Sequence, residues 1–322
     1  MSIALAHALN QSLRDAMVAD EKVVLLGEDI GTLGGVFRVT ENLKTEFGAE
    51  RVVSTPLGEA GIVGSAIGLA MAGYRPVCEI QFDGFAFPAM NQIVTQLAKY
   101  HHRSEGRVLL PVVIRIPFGG AIGAIEHHSE SPEAYFAHTA GLRVAIPSNA
   151  GEAYDLLGQA IRSDDPVIFL EPKRSYWLKG EMHDPAPMSM DLARIARPGN
   201  DLTLVAYGAL VPIAEQAAIT LAEEGRSVEV IDLRSISPLD DATVVESVRR
   251  TGRLVIAHEA SRSGGIGGEL ATRVQEQAFY SLEAPILRVT GYDTPYPASR
   301  LEHDWLPNLD RLLEACDQSF SH

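Results

Sequence analysis

The hydrophobic residues of this chain fall into short continuous runs that alternate with stretches of helical period. The runs at 23–27 and 112–116 predict buried strands. Leu5, Leu9 and Leu13 instead recur every four residues, which predicts a helix with one apolar face. Continuous apolar strands separated by helices are typical of a parallel sheet covered on both faces. The pattern therefore predicts an α/β fold.

The alternation continues along the chain with one interruption. Further strands are expected at 76–82, 166–170, 201–207, 227–233 and 253–258, and further helices at 212–224 and 240–251. Residues 180–200 contain three prolines and three methionines without a clear period, and we interpret this segment as a linker. Two α/β domains result, over 1–180 and 200–322, joined by a linker at 181–199.

Length and charge narrow the class of ligand. A chain of 322 residues is long enough for two domains with their own cores. It has 42 acidic and 27 basic residues, a formal net charge of −15. This charge argues against nucleic acid or an anionic membrane as the partner. An anionic ligand would need local positive charge, a metal ion or another chain.

The cysteines and the beginning of the chain bear on its location. Two cysteines exclude a disulfide scaffold and a cysteine-rich zinc module, and fit a reducing compartment. The first residues lack the basic region of a signal peptide. The longest weakly polar stretch, 60–74, is shorter than the roughly 20 residues that span a bilayer. We therefore expect a cytoplasmic protein.

Two glycine-rich runs, at 119–123 and 264–268, raise the question of a nucleotide-binding loop. Neither fits the dinucleotide-binding pattern between a strand and a helix, and the chain has no phosphate-binding P-loop motif. An NAD-dependent oxidoreductase or an ATP site is therefore disfavoured. We expect both runs to form tight turns and helix starts.

A glycine-containing helix is predicted after Gly58. Gly61, Gly64 and Gly68 would share one face of it, although each glycine costs about 1 kcal/mol relative to alanine. Such a cost suggests that another backbone approaches this face closely. Glu59 stands at the start of the helix, where the helix dipole favours a carboxylate. Glu59 is either a simple helix-terminal residue or a buried carboxyl at a subunit interface that faces a ligand.

Two histidines and an aromatic residue are further candidates for a catalytic or binding site. His127 and His128 lie in a loop before a predicted helix, where histidines are good catalytic candidates. The alternatives are a plain surface loop or a helix cap formed by Ser131. The chain lacks the histidine and cysteine spacing of a transition-metal site. Phe85 follows the strand at 76–82, where α/β sheets bind ligands, and can stack on a planar ring or pack in the core.

Several collinear segments resemble the beta subunit of the thiamine-diphosphate-dependent, decarboxylating component of 2-oxo acid dehydrogenase complexes. They lie at 27–29, 34–38, 55–59, 79–82, 128–133, 171–173 and 229–234. The segments 131–138 and 291–297 resemble the branched-chain type more closely than the pyruvate type. The resemblance implies a transketolase-like fold, in which a pyrimidine-binding α/β domain is followed by a transketolase C-terminal α/β domain.

The resemblance also implies partners and a reaction. An alpha subunit completes an α2β2 heterotetramer and holds the diphosphate of thiamine diphosphate through Mg²⁺. The family's diphosphate motif begins Gly-Asp-Gly, a tripeptide that this chain lacks. The implied reaction decarboxylates a branched-chain 2-oxo acid and reductively acylates the lipoyl group of a transacylase. The alternatives are a pyruvate or acetoin dehydrogenase beta subunit, or a non-catalytic docking subunit of such a complex.

Individual site residues follow from the matching motifs. Glu59 matches the catalytic glutamate that hydrogen-bonds the aminopyrimidine ring, and such a carboxyl must hold or share a proton, which burial favours. Phe85 matches the aromatic residue that stacks on the pyrimidine. His128 matches a histidine at the reacting end of the cofactor, with proton transfer or lipoyl positioning as its role. Gln81 and Glu28 are assigned to cofactor binding.

Two further expectations concern charge. The family tends to carry a monovalent cation, and the matching donors here are the carbonyl groups of Ala160 and Ile161 with the carboxylate of Asp165. We expect a K⁺ ion there, with a solvated turn as the alternative. Glu130 replaces a commoner glutamine next to His128, and its negative charge is expected to raise the pKa of His128.

Overall fold

A computed structural model describes residues 2–182 and 188–322. Within them the chain forms two large sheets and a two-stranded one. The strands are β1 (Ser2–Ala4), β2 (Val23–Gly27), β3 (Val52–Ser54), β4 (Arg75–Glu79), β5 (Val113–Phe118), β6 (Arg143–Ala145), β7 (Val167–Pro172), β8 (Lys179–Glu181), β9 (Arg194–Arg197), β10 (Leu202–Ala206), β11 (Val228–Asp232), β12 (Ser235–Ser237), β13 (Leu254–Ser261) and β14 (Leu287–Gly291).

Helices connect most of these strands. They are α1 (Leu5–Ala19), α2 (Leu43–Phe47), α3 (Glu59–Met71), α4 (Ala98–Arg103), α5 (Glu133–Ala137), α6 (Ala150–Arg162), α7 (Val211–Glu223), α8 (Asp241–Thr251), α9 (Ile266–Ala278), α10 (Glu302–Trp305) and α11 (Leu309–Phe320). Between β4 and α4 the chain forms a 3-10 helix over Asp83–Ala89 and a π-helix over Asn91–Leu97. In the parts of the chain described, no helix is long and apolar enough to cross a membrane.

The first large sheet has the strand order β12-β6-β7-β5-β4-β2-β3. Its strands are parallel except for β12, which runs antiparallel to β6. Val23 and Leu25 of β2 pack on the face covered by α1 and α6, whereas Val24 and Leu26 pack on the α3 face. Burial on both faces explains why these strands are continuously apolar. The predicted α/β class is confirmed.

The second large sheet has the order β14-β13-β10-β11-β9. Its strands are also parallel, except for the edge strand β9. Helices α7 and α11 contribute to the core on one face, and α8 and α9 contribute to the core on the other. The architecture repeats that of the first sheet on a smaller scale.

The strand predicted at 76–82 ends earlier than expected, at Glu79. Phe82 has left the sheet, and its ring contacts the rings of Phe37 and His128 at centroid distances of 5.6 and 4.2 Å. The apolar run therefore continues past the strand because Phe82 packs in a ring cluster beyond the sheet edge.

The segment predicted as a linker contains regular structure. Strand β9 lies within 181–199, while 183–187 of that segment fall outside the described residues. The guanidinium of Arg194 in β9 pairs with Glu152 at 3.1 Å and with Asp232 at 3.4 Å. A short, half-exposed edge strand has too few positions to show a period, which is why the hydrophobic pattern did not predict it.

Strand β12 crosses between the two halves of the chain. It follows β11 of the second sheet, yet it pairs with β6 at the edge of the first sheet. The Ser235 hydroxyl also donates to the Val144 carbonyl oxygen at 3.0 Å. The two halves are therefore joined by sheet hydrogen bonds as well as by the chain, which the pattern of apolar runs did not predict.

Asp240 caps helix α8, and its replacement tests how much this cap contributes to the stability of the protein. Its carboxylate accepts the Thr243 backbone N–H at 3.2 Å and the Ala193 backbone N–H at 2.9 Å. The Asp240→Ala variant is expected to lower the free energy of unfolding by about 1–2 kcal/mol, measured by urea denaturation. Glu246→Ala, at an exposed position of the same helix, serves as the control and should change it by less than about 0.5 kcal/mol. Equal losses in the two variants would contradict the capping role.

Candidate active site

The candidate residues of the first domain gather at the carboxyl ends of two neighbouring strands. Gly27, the last residue of β2, pairs with Glu79, the last residue of β4. Glu28 follows β2 directly, and Gln81 and Phe85 follow β4. Helix α3, which begins at Glu59, contacts the 3-10 helix that carries Phe85. This edge is where open parallel sheets bind ligands.

Glu28 and Glu59 are neighbours. The Glu28 carboxylate is buried and accepts the backbone N–H of Gly58 at 3.0 Å, which ties it to the start of α3. Burial raises the pKa of Glu28, and the nearby charges of Glu59 and Asp29 raise it further. Glu59 itself is half-buried. The site therefore presents two neighbouring carboxyl groups at a helix N-terminus.

His128 sits in a cluster of aromatic rings. Its ring centroid lies 4.2 Å from that of Phe82 and 5.2 Å from that of Phe85, both in edge-to-face orientation. The Nδ1 atom of His128 is buried and has no hydrogen-bond partner among the described residues. This ring nitrogen therefore needs a partner that the described part of the chain does not supply.

The charge state of His128 differs from the expectation. Burial lowers its pKa, and the neighbouring His127 and Lys173 lower it further. The predicted rise caused by Glu130 is therefore wrong, because burial dominates the shift and the carboxylate that opposes it is that of Glu126, whereas the Glu130 side chain is exposed. Capping by Ser131 is also wrong, since Pro132 is the N-cap of α5 and the Ser131 hydroxyl has no hydrogen-bond partner within residues 2–182 and 188–322.

Gln81 contributes indirectly. Its side-chain amide donates to the Asp29 carboxylate at 3.2 Å and thereby joins the ends of β4 and β2.

Beneath this edge, Gly35 has φ +76°, and a Cβ there would come within 2.5 Å of the Glu79 carboxylate oxygen. The loop after β2 can therefore lie on Glu79 only with glycine at position 35.

A buried charge network supports the floor of the site, and the sequence analysis did not identify it. The Arg115 guanidinium donates to Glu79 at 2.7 Å and to both carboxylate oxygens of Glu171 at 2.7 and 2.9 Å. The Tyr176 hydroxyl donates to Glu171 at 2.5 Å. These side chains join the ends of β4, β5 and β7. Their only sequence signal is charged residues within otherwise apolar strands.

A second buried pair, also missed, lies next to His128. The Lys173 ammonium binds the Asp83 carboxylate and the carbonyl oxygen of His128. Lys173 stands in one of the segments that carry the family resemblance, and Asp83 directly follows the strand predicted at 76–82. A lysine directly after a buried strand is the signal that could have identified the pair, because such a charge needs a partner.

The residues at the predicted cation site do not fit a K⁺ ion. The Ile161 carbonyl oxygen accepts the Arg75 guanidinium at 3.1 Å, and the Ala160 carbonyl oxygen accepts the Ser163 N–H at 3.2 Å. The Asp165 carboxylate accepts Arg143 at 2.9 Å. The expected oxygen donors are thus occupied by protein donors, two of them guanidinium groups that carry the positive charge. Within residues 2–182 and 188–322, no three acidic, histidine or cysteine side chains are grouped to hold a metal ion.

Both glycine-rich runs form turns and helix starts, as expected. Gly119 and Gly123 have φ values of +82° and +71°, and the N–H groups of Ala121 and Gly123 donate to the Glu302 carboxylate. Gly264, with φ +71°, precedes helix α9. The chain's own carboxylate therefore occupies the N–H groups of the first run.

The chain is similar to known protein domains along most of its length. Residues 1–177 match the transketolase pyrimidine binding domain, and residues 191–312 match the transketolase C-terminal domain. A pyruvate dehydrogenase E1 component subunit beta from Leifsonia xyli subsp. xyli is 59% identical over 322 residues, which cover 100% of this chain and 96% of the relative. The chain belongs to the family of 2-oxo acid dehydrogenase E1 beta subunits.

Other similar proteins agree with this family. A 3-methyl-2-oxobutanoate dehydrogenase subunit beta from Mycobacterium tuberculosis is 52% identical over 319 residues, covering 98% of this chain and 92% of the relative. A solved structure described as a split gene transketolase, inactive beta4 tetramer, has a TM-score of 0.81 at 23% identity and covers 99% of this chain and 98% of its own. The second similarity supports the transketolase-like fold alone.

The site of this E1 beta chain fits the pyrimidine end of thiamine diphosphate. Phe85 provides a ring that can stack on a heterocycle, and Glu59, at the start of the contacting helix α3, provides a half-buried carboxyl. His128 provides an imidazole ring whose centroid lies 5.2 Å from that of Phe85. This donor set has the chemistry that an aminopyrimidine ring requires.

Proposed function

We propose that this chain supplies the pyrimidine-facing half of the catalytic centre of a 2-oxo acid dehydrogenase. The observation that carries the proposal is the convergence of Glu59, Phe85 and His128, which come from three separate segments, at one edge of the first sheet. An alpha subunit supplies the other half in an α2β2 heterotetramer and holds the diphosphate through Mg²⁺. The acyl product passes to the lipoyl group of a transacylase. Both cysteines are free, which fits the cytoplasm as the location.

Each residue has a distinct role in this proposal. Thiamine diphosphate, when bound, supplies the electron sink that decarboxylation requires. Glu59 holds a proton at the pyrimidine ring nitrogen, and Glu28 fixes the start of α3 beneath it. Phe85 orients the ring by stacking. His128 moves a proton at the acyl end or orients the lipoyl group, and Gln81 keeps the ends of β2 and β4 together.

We propose a branched-chain 2-oxo acid as the substrate. The two segments that resemble the branched-chain type, 131–138 and 291–297, line the same cavity of about 450 Å³ beside the His128 loop. A relative named for 3-methyl-2-oxobutanoate supports this choice. Pyruvate is the second candidate, because a 59% identical relative is named for it.

The test is co-expression of this chain with an alpha subunit, followed by a scan of 2-oxo acids with thiamine diphosphate and Mg²⁺. We expect decarboxylation and lipoyl acylation only when both subunits are present, with the highest kcat/KM for 3-methyl-2-oxobutanoate. A higher kcat/KM for pyruvate or turnover of acetoin would assign one of those substrates. Recovery of a transacylase without any turnover would indicate a docking subunit, and tight NAD binding by the chain alone would favour an oxidoreductase.

Helix α3 offers a face for the proposed alpha subunit. Apart from the adjacent residues and the backbone of α3 itself, no atom of the described chain lies within 4 Å of a Cβ built at Gly61 or Gly68, and both positions are exposed. The close backbone approach expected from these glycines is therefore absent within the chain. Gly68→Leu is expected to leave the lone chain folded, with a gain of up to about 1 kcal/mol from helix propensity, and to weaken assembly at least tenfold.

This expectation is measured by size-exclusion chromatography with the alpha subunit and by thermal unfolding of the lone chain. Ala222→Leu, an exposed substitution on helix α7, is the matched control and should assemble normally. Normal assembly of Gly68→Leu would place the partner elsewhere.

A further inference from the structure

The ion pair of Lys173 and Asp83 is buried almost completely. Lys173 is 3% exposed and Asp83 is 1% exposed. Burial of a charged group carries a large desolvation cost unless it is paired and hydrogen-bonded, and an apolar pair of similar size is often equally stable. A contribution to stability alone therefore does not explain why two charges stand here.

The pair holds the two successive peptide groups that directly follow the side chain of His128. The Lys173 ammonium donates to the carbonyl oxygen of His128 as well as to Asp83. The second carboxylate oxygen of Asp83 accepts the backbone N–H of Glu130 at 2.9 Å. An apolar pair of the same volume could bind neither backbone group.

Close packing of the two segments adds to this restraint. A Cβ at Gly84 would lie 2.3 Å from the carbonyl oxygen of His127, so the loop lies directly on the backbone that follows Asp83. The Lys173 ammonium also lies 5.5 Å from the ring centroid of Phe82, which contacts the His128 ring. The segment 126–130 is therefore fixed from beneath by one buried unit.

We propose that Asp83 and Lys173 are positioning residues for the reaction: their ion pair fixes the His128 backbone so that the imidazole ring faces Phe85 and the reacting end of the ligand. This inference rests on the proposed function. It assigns to Asp83 and Lys173 an effect on turnover that acts only through His128.

The test uses the α2β2 enzyme with Asp83→Asn and Lys173→Met combined, which removes both charges and leaves neither one buried alone. We expect kcat for lipoyl acylation to fall at least tenfold, while KM for the 2-oxo acid and binding of thiamine diphosphate change less than twofold. The acid limb of the kcat/KM profile should move to higher pH, because the positive charge of Lys173 lowers the pKa of His128. Asp232→Asn, which changes a buried carboxyl group in the second sheet, is the matched control and should leave kcat unchanged.

Combination with His128→Gln separates positioning from a general structural effect. We expect the double substitution to cause no further loss of kcat in the His128→Gln enzyme. An unchanged kcat in the double variant, or a full additional tenfold loss in the His128→Gln background, would overturn the proposal. If thermal unfolding shows that the double variant does not fold, Asp83→Leu combined with Lys173→Met enters the same cycle, because this apolar pair also leaves no charge buried alone and binds neither backbone group.

The outcomes also distinguish this inference from the proposed function. Turnover by the unmodified enzyme together with a large loss in Glu59→Gln would support the proposed function regardless of Asp83. A wild-type kcat in the Asp83 and Lys173 variants would then overturn only the positioning role.

Discussion

The Glu59→Gln variant of the assembled enzyme is expected to lose about 10²- to 10⁴-fold in kcat, the range typical of general acid–base residues. Glutamine preserves the size of the side chain and can form a hydrogen bond, but it cannot give up or take a proton. Glu28 next to it cannot take over this role, because its carboxylate is bound to the start of α3 through Gly58. Decarboxylation with saturating thiamine diphosphate and Mg²⁺ measures the effect.

The matched control is Glu50→Gln, at an exposed position before β3. It should retain full turnover, and both variants should assemble with the alpha subunit to the same extent in size-exclusion chromatography. Near-wild-type turnover of Glu59→Gln would remove Glu59 from the proposed catalytic role.

Replacement of Arg115 by Met is expected to lower the free energy of unfolding by about 3–5 kcal/mol. The substitution leaves the carboxyl groups of Glu79 and Glu171 buried at the same place without their positive partner. Burial already raises the pKa of Glu79, and the positive charge of Arg115 opposes that rise. Urea denaturation of the lone chain at pH 7 measures the loss.

Two further variants are compared with Arg115→Met. Arg14→Met removes a partly exposed pair with Glu46 and should cost no more than about 1 kcal/mol. Arg115→Met combined with Glu79→Gln and Glu171→Gln should recover most of the lost stability, since no buried charge then lacks a partner. A loss in Arg115→Met no larger than that in Arg14→Met would contradict the role of the buried network.

Regular elements with long apolar runs could be predicted closely from the sequence. The run at 23–27 corresponds to β2 residue for residue, and Leu5, Leu9 and Leu13 form the buried stripe of α1. Such elements can be predicted because burial on one or both faces requires apolar residues at regular positions. Strands β9 and β12 were not predicted, since three or four residues at a sheet edge are too few to show a hydrophobic pattern.

Some residues of the candidate site could be predicted from the sequence and others could not. The family resemblance pointed to Glu59, Phe85 and His128, and the structure gathers their segments at one sheet edge. The partners Asp83 and Lys173 were not predicted, because their contact joins positions 90 residues apart. The predicted cation site met the same limit, since nothing in the local sequence indicated that the Arg75 guanidinium would bind the Ile161 carbonyl oxygen.

The order of apolar runs and helical stretches by itself determined the α/β class and seven of the fourteen strands that the structure describes, and the collinear motif segments pointed to the family. All of these depend on residue types that are close together in the chain. Only the tertiary structure decided which charges are buried and with whom they pair. Whether the Arg115 and Lys173 side chains are solvated or enclosed depends on the packing of strands from distant parts of the sequence, and the energy of a charge depends on that enclosure.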